Sequence, residues 1–237
     1  MRGKGFTFKQ FHICHEHCAM KVGTDGTLLG AWATLPQQAK QILDIGTGSG
    51  LIAIMIAQRH STATISAIDI DADCIKQANE NIDACAWSSR ISLYHSSLQE
   101  FSPEGKFDVI VSNPPYFVDS LLSPDDKRST ARHTSTLSFD ELTKGVLRLL
   151  APSGIFALIL PPAESKLFLS AARGKLFLTR CTELWSTPQS GVRRVLMELQ
   201  TTPPETIPTT DRLCIEDEGK NFSKEYRALT KDFYLKF

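Results

Sequence analysis

Residues 42–50 read Ile42-Leu43-Asp44-Ile45-Gly46-Thr47-Gly48-Ser49-Gly50, a short apolar strand followed by a glycine-rich turn. An apolar helix over residues 51–59 is predicted directly after the turn. Glycines allow a tight turn and a close approach of the backbone to a ligand. A strand, a glycine turn and a helix in this order are typical of nucleotide-binding α/β domains, although several classes of nucleotide site use such turns.

The alternation of strands and helices continues along the chain. Strands are predicted over residues 64–69, 91–95, 107–112, 155–160, 176–185 and 192–200, and helices over residues 71–86, 138–150 and 164–173. This order predicts an α/β fold with a mostly parallel sheet covered by helices on both faces. The last two strands lie close together, so we expect them to pair as an antiparallel hairpin at the sheet edge.

The two ends of the chain carry weaker patterns. Residues 1–40 are irregular by pattern, except for a short helix over residues 27–34 that Thr24-Asp25-Gly26 precedes as a turn or cap. Residues 201–210 are predicted to be a linker or exposed loop because prolines and threonines dominate them. The tail from Lys220 mixes aromatic and basic residues, which predicts a surface strap packed on the domain or, alternatively, a nucleic-acid contact.

Two acidic residues flank the glycine turn in the manner of a nucleotide site. Asp44 precedes the first glycine and is expected to face the polar end of the ligand. Asp69 ends the second strand, 19 positions beyond Gly50. At that place an α/β nucleotide site puts a carboxylate on ribose hydroxyls. Asp71 is instead expected to be the N-cap of the next helix.

Asn113-Pro114-Pro115-Tyr116 follows the predicted strand at residues 107–112. Two prolines stop the strand and hold the chain extended, so an amide and a ring stand at its carboxyl end, where open α/β sheets bind ligands. The Asn113 oxygen and the Pro114 carbonyl can accept the two hydrogens of an amine, and Tyr116 can stack on a planar ring. We therefore predict a planar, nitrogen-bearing substrate at this strand end.

Together these motifs resemble a known family. Asp44-x-Gly-x-Gly-x-Gly50, Asp69 and the Asn-Pro-Pro-Tyr run resemble the S-adenosylmethionine-dependent class I methyltransferases that act on planar amino nitrogens. Lys21-Val22-Gly23-Thr24-Asp25-Gly26, Ala131-Arg132-His133 and the run from Tyr226 to Tyr234 are similar to bacterial valine-tRNA adenine N6-methyltransferases, which modify an adenine beside the anticodon. The likeness covers nearly the whole chain.

The resemblance implies a Rossmann-like class I methyltransferase, with a seven-stranded, mostly parallel sheet whose last strand is antiparallel. It implies S-adenosylmethionine as cofactor, a tRNA (a valine isoacceptor) as partner and no obligate protein partner. Together with the motifs, it gives the expected cofactor-binding residues as Lys21, Thr24, Asp25, Asp44, Gly46, Gly48, Gly50, Asp69, Ser97 and Asn113. The expected catalytic residues are Asn113, Pro114 and Tyr116.

Two further features concern the cofactor and the RNA. In the wider group an acid usually follows the third strand and contacts the adenine of the cofactor. This chain has Ser97 there, which can still hydrogen-bond an amine, but without charge assistance. The long polar loop over residues 117–136 is expected to contact RNA phosphates. The residues predicted to bind RNA are Lys127, Arg128, Arg132, His133 and Arg194.

The composition limits the other possibilities. Lys+Arg and Asp+Glu are equal at 26 each, which argues against a broadly basic surface. Without a secretory signal or an apolar run near 18 residues, we expect a cytoplasmic protein with reduced cysteines and no membrane contact. His12, Cys14, His15, His17 and Cys18 lie within seven residues, without the two separated ligand pairs of tetrahedral sites, so no metal is predicted.

We expect one methyltransferase domain over residues 1–237. Residues 1–40 would lie over the cofactor and substrate site, residues 41–200 would form the Rossmann-like core, and residues 201–237 would be a carboxyl-terminal extension. A protein glutamine N5-methyltransferase, or an rRNA or DNA adenine N6-methyltransferase, is the alternative enzyme. The 43 residues before Asp44 are too few for the helical substrate domain that glutamine enzymes generally carry. A non-catalytic RNA-binding protein is the alternative from another class.

Overall fold

The computed structural model describes residues 4–18, 20–115 and 137–236. Its strands are β1 (Gly5–Thr7), β2 (His12–Cys14), β3 (Gln41–Ile45), β4 (Thr64–Asp69), β5 (Ile91–His95), β6 (Phe107–Ser112), β7 (Leu150–Leu160), β8 (Phe177–Trp185), β9 (Val192–Gln200) and β10 (Thr209–Cys214). Its helices are α1 (Thr24–Trp32), α2 (Leu51–Arg59), α3 (Ala72–Asp83), α4 (Phe139–Leu149), α5 (Pro162–Ala171) and α6 (Lys224–Thr230), with a short 3-10 helix at Ser88–Arg90.

Among the described residues, the main sheet has eight strands in the order β10-β8-β9-β7-β6-β3-β4-β5. The pairs of β3 with β4 and β6, of β4 with β5, and of β6 with β7 are parallel, and β9 runs antiparallel to both β7 and β8. The predicted α/β class, the mostly parallel sheet and the reversed seventh strand are therefore confirmed.

The strand count and the position of the hairpin differ from the prediction. Residues 209–214 form an eighth strand that pairs in parallel with residues 180–185 of β8, so the prediction of an exposed loop at Thr209 and Thr210 was wrong. Backbone pairing at an open edge needs no apolar periodicity, which explains why the pattern missed it. The hairpin of β8 and β9 exists, but β10 covers β8 and β9 lies inside the sheet.

Side-chain caps fix the helix starts that the sequence indicated. The Asp71 carboxylate accepts hydrogen bonds from the amides of Asp73 (2.8 Å) and Cys74 (3.3 Å), which confirms Asp71 as the N-cap of α3. Ser138 and Glu141 form a capping box at the start of α4. Because these caps are local in sequence, the segments predicted for α3 and α4 end within three residues of the observed bounds.

Two apolar layers cover the sheet. One lies under α1, α2 and α3 and also buries side chains of the amino-terminal hairpin and of the carboxyl-terminal tail. The other lies under α4 and α5 on the opposite face. Both faces of the central strands are buried, which gives these strands their continuous apolar sequence.

The amino-terminal region is more regular than predicted. The strands β1 and β2 form an antiparallel hairpin, so the expectation of irregular structure before residue 24 was wrong. Thr24, Asp25 and Gly26 form the first turn of α1 rather than a turn before it. In the tail, Tyr226 and Phe233 are 4% and 2% exposed, which confirms the prediction of a packed strap. In the part of the chain that the structure describes, no helix has the length and apolar character needed to cross a membrane.

Candidate active site

The carboxyl ends of β3, β4, β5 and β6 border a cavity of about 530 Å³. Parallel strands place their carboxyl ends at one edge of the sheet, and the loops after them converge there. The described residues that line the cavity are Cys18, Met20, Ile45, Gly46, Gly48, Ile68, Asp69, Ile70, Asp71, Cys74, Ser96, Ser97, Leu98, Gln99, Glu100, Ser112, Asn113, Pro114, Pro115, Leu137 and Glu141. The cavity therefore joins the glycine turn, Asp69, Ser97 and the start of the Asn-Pro-Pro run.

The three glycines of the turn have different structural roles. Gly46, Gly48 and Gly50 have φ angles of +70°, +55° and +80°, a backbone region that side chains strongly disfavour. A Cβ atom added at Gly46 or Gly48 would meet no described atom within 4 Å, so both face open space at the cavity. A Cβ at Gly50 would lie 3.4 Å from the Ala78 Cβ. Gly50 therefore packs the turn against α3 and does not line the cavity.

Asp69 holds the turn in place. Its carboxylate accepts hydrogen bonds from the backbone amides of Gly48 (2.8 Å) and Asp71 (3.0 Å). Burial raises the pKa of Asp69, and these two hydrogen bonds oppose that rise. The carboxylate thus lines the cavity and fixes the backbone that borders it, as expected for a residue that meets ribose hydroxyls.

Asp44 lies beneath the turn and is fully buried. Its Oδ2 accepts a hydrogen bond from the Thr47 hydroxyl (2.7 Å), while Oδ1 has no hydrogen-bond partner among the described residues. Burial raises the pKa of Asp44 to about 7, and the Thr47 hydrogen bond opposes that rise. Asp44 is not among the described residues that line the cavity. It therefore contacts the glycine turn, and of the two only the turn borders the cavity.

The cavity is acidic. Four carboxylate residues line it, Asp69, Asp71, Glu100 and Glu141, and none of the described lining residues is a lysine or arginine. Ile45, Ile68 and Leu98 supply apolar wall between them. Such a cavity suits a ligand with an apolar or planar body and a positive charge, and it repels a phosphate.

Glu100 is a lining residue that the sequence reasoning missed. The Ser97 hydroxyl donates to Glu100 Oε2 (2.7 Å), and the Glu100 amide donates back to the Ser97 hydroxyl (3.2 Å). An acid, Glu100, is therefore present on the cavity three residues after Ser97 and bonds its hydroxyl. The spacing Ser-x-x-Glu, which is that of a capping box, is the signal that would have predicted this contact.

Asn113 and Pro114 stand at the end of β6, on the same cavity. The Ser112 hydroxyl donates to the Ile45 carbonyl (2.9 Å), which ties the end of β6 to the end of β3. Pro114 is buried and Pro115 is exposed. Tyr116 and the predicted RNA-binding residues Lys127, Arg128, Arg132 and His133 lie outside the described residues.

Besides Asp44 and Gly50, three further expected cofactor residues are absent from the described lining, namely Lys21, Thr24 and Asp25. Asp25 forms an ion pair with Arg194, with 2.7 Å between Nε and Oδ2. This pair joins the start of α1 to the start of β9 and thus links a residue predicted to contact the cofactor with one predicted to contact RNA. Arg193, the preceding residue, is exposed on the same strand.

Comparisons with known proteins agree with this geometry. The family model "Methyltransferase small domain" matches residues 21–127. A tRNA1(Val) (adenine(37)-N6)-methyltransferase of Parabacteroides distasonis is 48% identical over 234 residues, 98% of each chain. One from Photobacterium profundum is 44% identical over 239 residues, 98% of this chain and 99% of the relative.

Solved structures share the fold at low identity. Protein Atu636 of Agrobacterium tumefaciens, a predicted O-methyltransferase, superposes with a TM-score of 0.72 at 18% identity, over 88% of this chain and 96% of its own. The glycopeptide N-methyltransferase MtfA, solved with S-adenosyl-L-methionine, gives a TM-score of 0.54 at 13% identity, over 75% of this chain and 95% of its own.

The sheet order, the glycine turn with Asp69 and the cavity at the strand ends define a Rossmann-like methyltransferase. Within that class, the near-full-length similarity is specific. The chain belongs to the family of tRNA1(Val) (adenine(37)-N6)-methyltransferases.

Proposed function

We propose that this protein transfers a methyl group from S-adenosylmethionine to the exocyclic N6 of an adenine in the anticodon loop of a valine tRNA. The relatives carry this activity in their names, with the adenine at position 37. A cytoplasmic location follows from that substrate. The observation that carries the proposal is the acidic cavity that joins the glycine turn to Asn113 and Pro114.

The described residues fit the proposed cofactor. Gly46 and Gly48 leave open space where a side chain would stand, so the backbone can border a ligand closely. We assign Asp69 to accept hydrogen bonds from the ribose hydroxyls, and Ser97 with Glu100 to accept one from an amine; their positions on the cavity support this. The carboxylates around the cavity favour a ligand with a sulfonium and an ammonium group over a neutral one.

The main contribution of the protein to the reaction is to position the adenine amine and the methyl donor. When bound, S-adenosylmethionine supplies a methyl group that is already activated by the sulfonium. The lone pair of the adenine amine is delocalised into the ring, and acceptor atoms on its two hydrogens turn that pair towards the methyl carbon. The Asn113 amide oxygen and the Pro114 carbonyl are the acceptors we assign, and Tyr116 stacks on the base. Well-oriented groups contribute roughly 7–11 kcal/mol to such a step, and the amine proton leaves to water.

The RNA contacts must lie outside this cavity, because an acidic cavity repels phosphates. We assign them to the basic residues of the 117–136 segment and to the start of β9, where Arg193 is exposed and Arg194 pairs with Asp25. An unpaired loop base can be turned out of its stack at low cost, which suits an enzyme that acts on the anticodon loop.

The test uses labelled S-adenosylmethionine and an unmodified valine tRNA transcript. The wild type should label one adenine, and a transcript with guanine at that position should stay unlabelled. Asn113→Ala should lower the transfer rate at least about a hundredfold, because the amine loses its alignment. Its cofactor Kd, measured by calorimetry, should change far less than the transfer rate.

Three outcomes would contradict the proposal. Equal labelling of every tRNA would remove the valine specificity. Labelling of a protein glutamine instead of RNA would favour the alternative enzyme class. Tight RNA binding without transfer to any nucleic acid would favour a non-catalytic RNA-binding protein.

A further inference from the structure

The histidine- and cysteine-containing stretch before α1 lies on one face of α3. Residues 14–18 and Met20, named here the N-terminal wall, include two residues that line the cavity, Cys18 and Met20. In the part of the chain that the structure describes, no group of three or more His, Cys, Asp or Glu could hold a metal ion. What the stretch contacts instead is a row of three buried side chains on α3, Cys74, Gln77 and Asn81.

The spacing of that row is helical. Positions 74, 77 and 81 follow one another at three and four residues, so their side chains share one face of α3. The Cys18 and Cys74 thiols lie against each other, and burial raises the pKa of both. Gln77 Oε1 accepts a hydrogen bond from the His17 amide (3.4 Å). Both cysteines are buried, so this contact packs the N-terminal wall against α3.

Asn81 makes the strongest of these contacts. Its Oδ1 accepts from the Cys14 amide (2.8 Å), and its Nδ2 donates to the Cys14 carbonyl (2.8 Å). The same Nδ2 donates to the Ser49 carbonyl (2.8 Å), inside the glycine turn. One side chain that is 3% exposed therefore bonds both the N-terminal wall and the turn that borders the cavity.

We propose that Asn81 is a positioning residue that couples the N-terminal wall to the glycine turn and thereby sets the affinity for S-adenosylmethionine. Asn81 does not line the cavity, so it acts through the two walls that it joins. Removing its side chain leaves three backbone groups without their partner, the Cys14 amide and the carbonyls of Cys14 and Ser49, which is costly away from water. The wall then samples undocked positions, and the apparent cofactor affinity falls with the docked fraction. The inference rests on the proposed cofactor but not on the identity of the RNA.

The test separates cofactor binding from methyl transfer. Asn81→Asp keeps the size of the side chain and the acceptor for the Cys14 amide but removes both donated hydrogen bonds. We expect its S-adenosylmethionine Kd, measured by calorimetry without RNA, to rise about tenfold or more. At saturating cofactor, its kcat should return to near the wild-type value, whereas general misfolding would lower kcat as well. Asn79→Ala is the matched control, because Asn79 is exposed on the same helix and bonds Asp83.

A measurement on the wild type covers the case in which the variant does not fold. Hydrogen exchange at the Cys14 and His17 amides, which bond Asn81 and Gln77, should slow when S-adenosylmethionine binds. The proposal is overturned if a folded Asn81→Asp protein keeps its Kd within twofold of the wild type, or if these amides exchange at the same rate with and without cofactor. A wild-type protein that binds the cofactor but does not methylate RNA would contradict the proposed function and not the role of Asn81.

Discussion

The N-terminal wall and the carboxyl-terminal extension are both additions to the same sheet, but they are attached by different forces. The wall is held to α3 by hydrogen bonds to the polar side chains of Gln77 and Asn81. Residues 209–236 of the extension are held by the backbone pairing of β10 with β8 and by buried rings such as Phe233. Only the wall touches the described lining of the cavity.

The two kinds of attachment suit different roles: the extension stabilises the fold, whereas the wall can change its position. Burying a large ring contributes a few kcal/mol regardless of direction, whereas a hydrogen bond contributes about 1 kcal/mol and depends on its geometry. A segment attached by hydrogen bonds can undock without unfolding the domain. The wall is therefore suited to follow cofactor binding, and the extension is suited to hold one position.

The largest effect expected from this comparison is on stability. Phe233 is 2% exposed, and Phe233→Ala should lower the free energy of unfolding by about 3–5 kcal/mol, since a buried ring leaves a cavity. Denaturant titration measures the loss. The cofactor Kd of the folded variant should stay at the wild-type value, because Phe233 is not among the described residues that line the cavity.

The matched variant is Leu235→Ala, at a side chain that is 59% exposed in the same segment. It should change the free energy of unfolding by less than about 0.5 kcal/mol. A tenfold weaker cofactor affinity in Phe233→Ala would contradict the conclusion that the extension stabilises the fold without affecting cofactor binding.

The second expected effect is a pH dependence confined to the wall. His15 Nδ1 accepts a hydrogen bond from the Val22 amide (3.1 Å), and a protonated Nδ1 cannot accept it. Burial lowers the pKa of His15, with further lowering by Lys21 and His12, and Glu16 acts in the opposite direction. Because the folded-state pKa lies below that of the unfolded chain, the His15 contribution is present at higher pH and is lost as the pH falls below about 6.5.

Hydrogen exchange at pH 7.5 and 5.5, corrected for the intrinsic rates, measures this effect. The wall should lose protection at the lower pH while residues 209–236 keep theirs. His15→Asn retains an acceptor but does not titrate, and it should hold the protection of the Val22 amide constant between the two pH values. If residues 209–236 lost as much protection as the wall at pH 5.5, the wall would not open independently of the extension.

The smallest effect concerns the contact between the amino-terminal hairpin and the extension. Lys9 Nζ donates to the Lys231 carbonyl (2.5 Å) at an exposed position. Lys9→Ala should lower the free energy of unfolding by no more than about 0.5 kcal/mol, because exposed contacts of this kind contribute little. The backbone bond from the Lys9 amide to the Phe233 carbonyl (2.7 Å) remains in the variant. A loss above 1 kcal/mol, measured by denaturant titration, would contradict this estimate.

Most of the sheet could be predicted from the sequence because its signals are local. Apolar β-branched runs bounded by turn residues gave β4, β5, β6 and β9 their observed bounds. The missed elements, β1, β2 and β10, are short, and none of them is buried on both faces. Their pairing partners lie along an edge or in a separate hairpin, and such pairing leaves little trace in a single strand's sequence.

The site was predicted in part. Gly46, Gly48, Asp69, Ser97, Asn113 and Pro114 line one cavity, as residues at neighbouring strand ends were expected to do. The sequence did not reveal that Gly50 packs on α3, that Asp44 lies beneath the turn, or that Asp25 pairs with Arg194. These depend on which way a side chain points after the elements have packed, which sequence spacing does not specify.

The glycine turn at residues 46–50 shows which features follow from the sequence alone and which depend on the tertiary structure. The sequence by itself indicated a tight turn between a strand and a helix, because glycine adopts the positive φ angles of such turns readily, as Gly46, Gly48 and Gly50 do. Only the tertiary structure decided that Asn81, 31 positions after Gly50, bonds the turn through Ser49. A backbone preference acts within a few residues, whereas a hydrogen bond between distant residues forms only after the packing of α3 has brought them together.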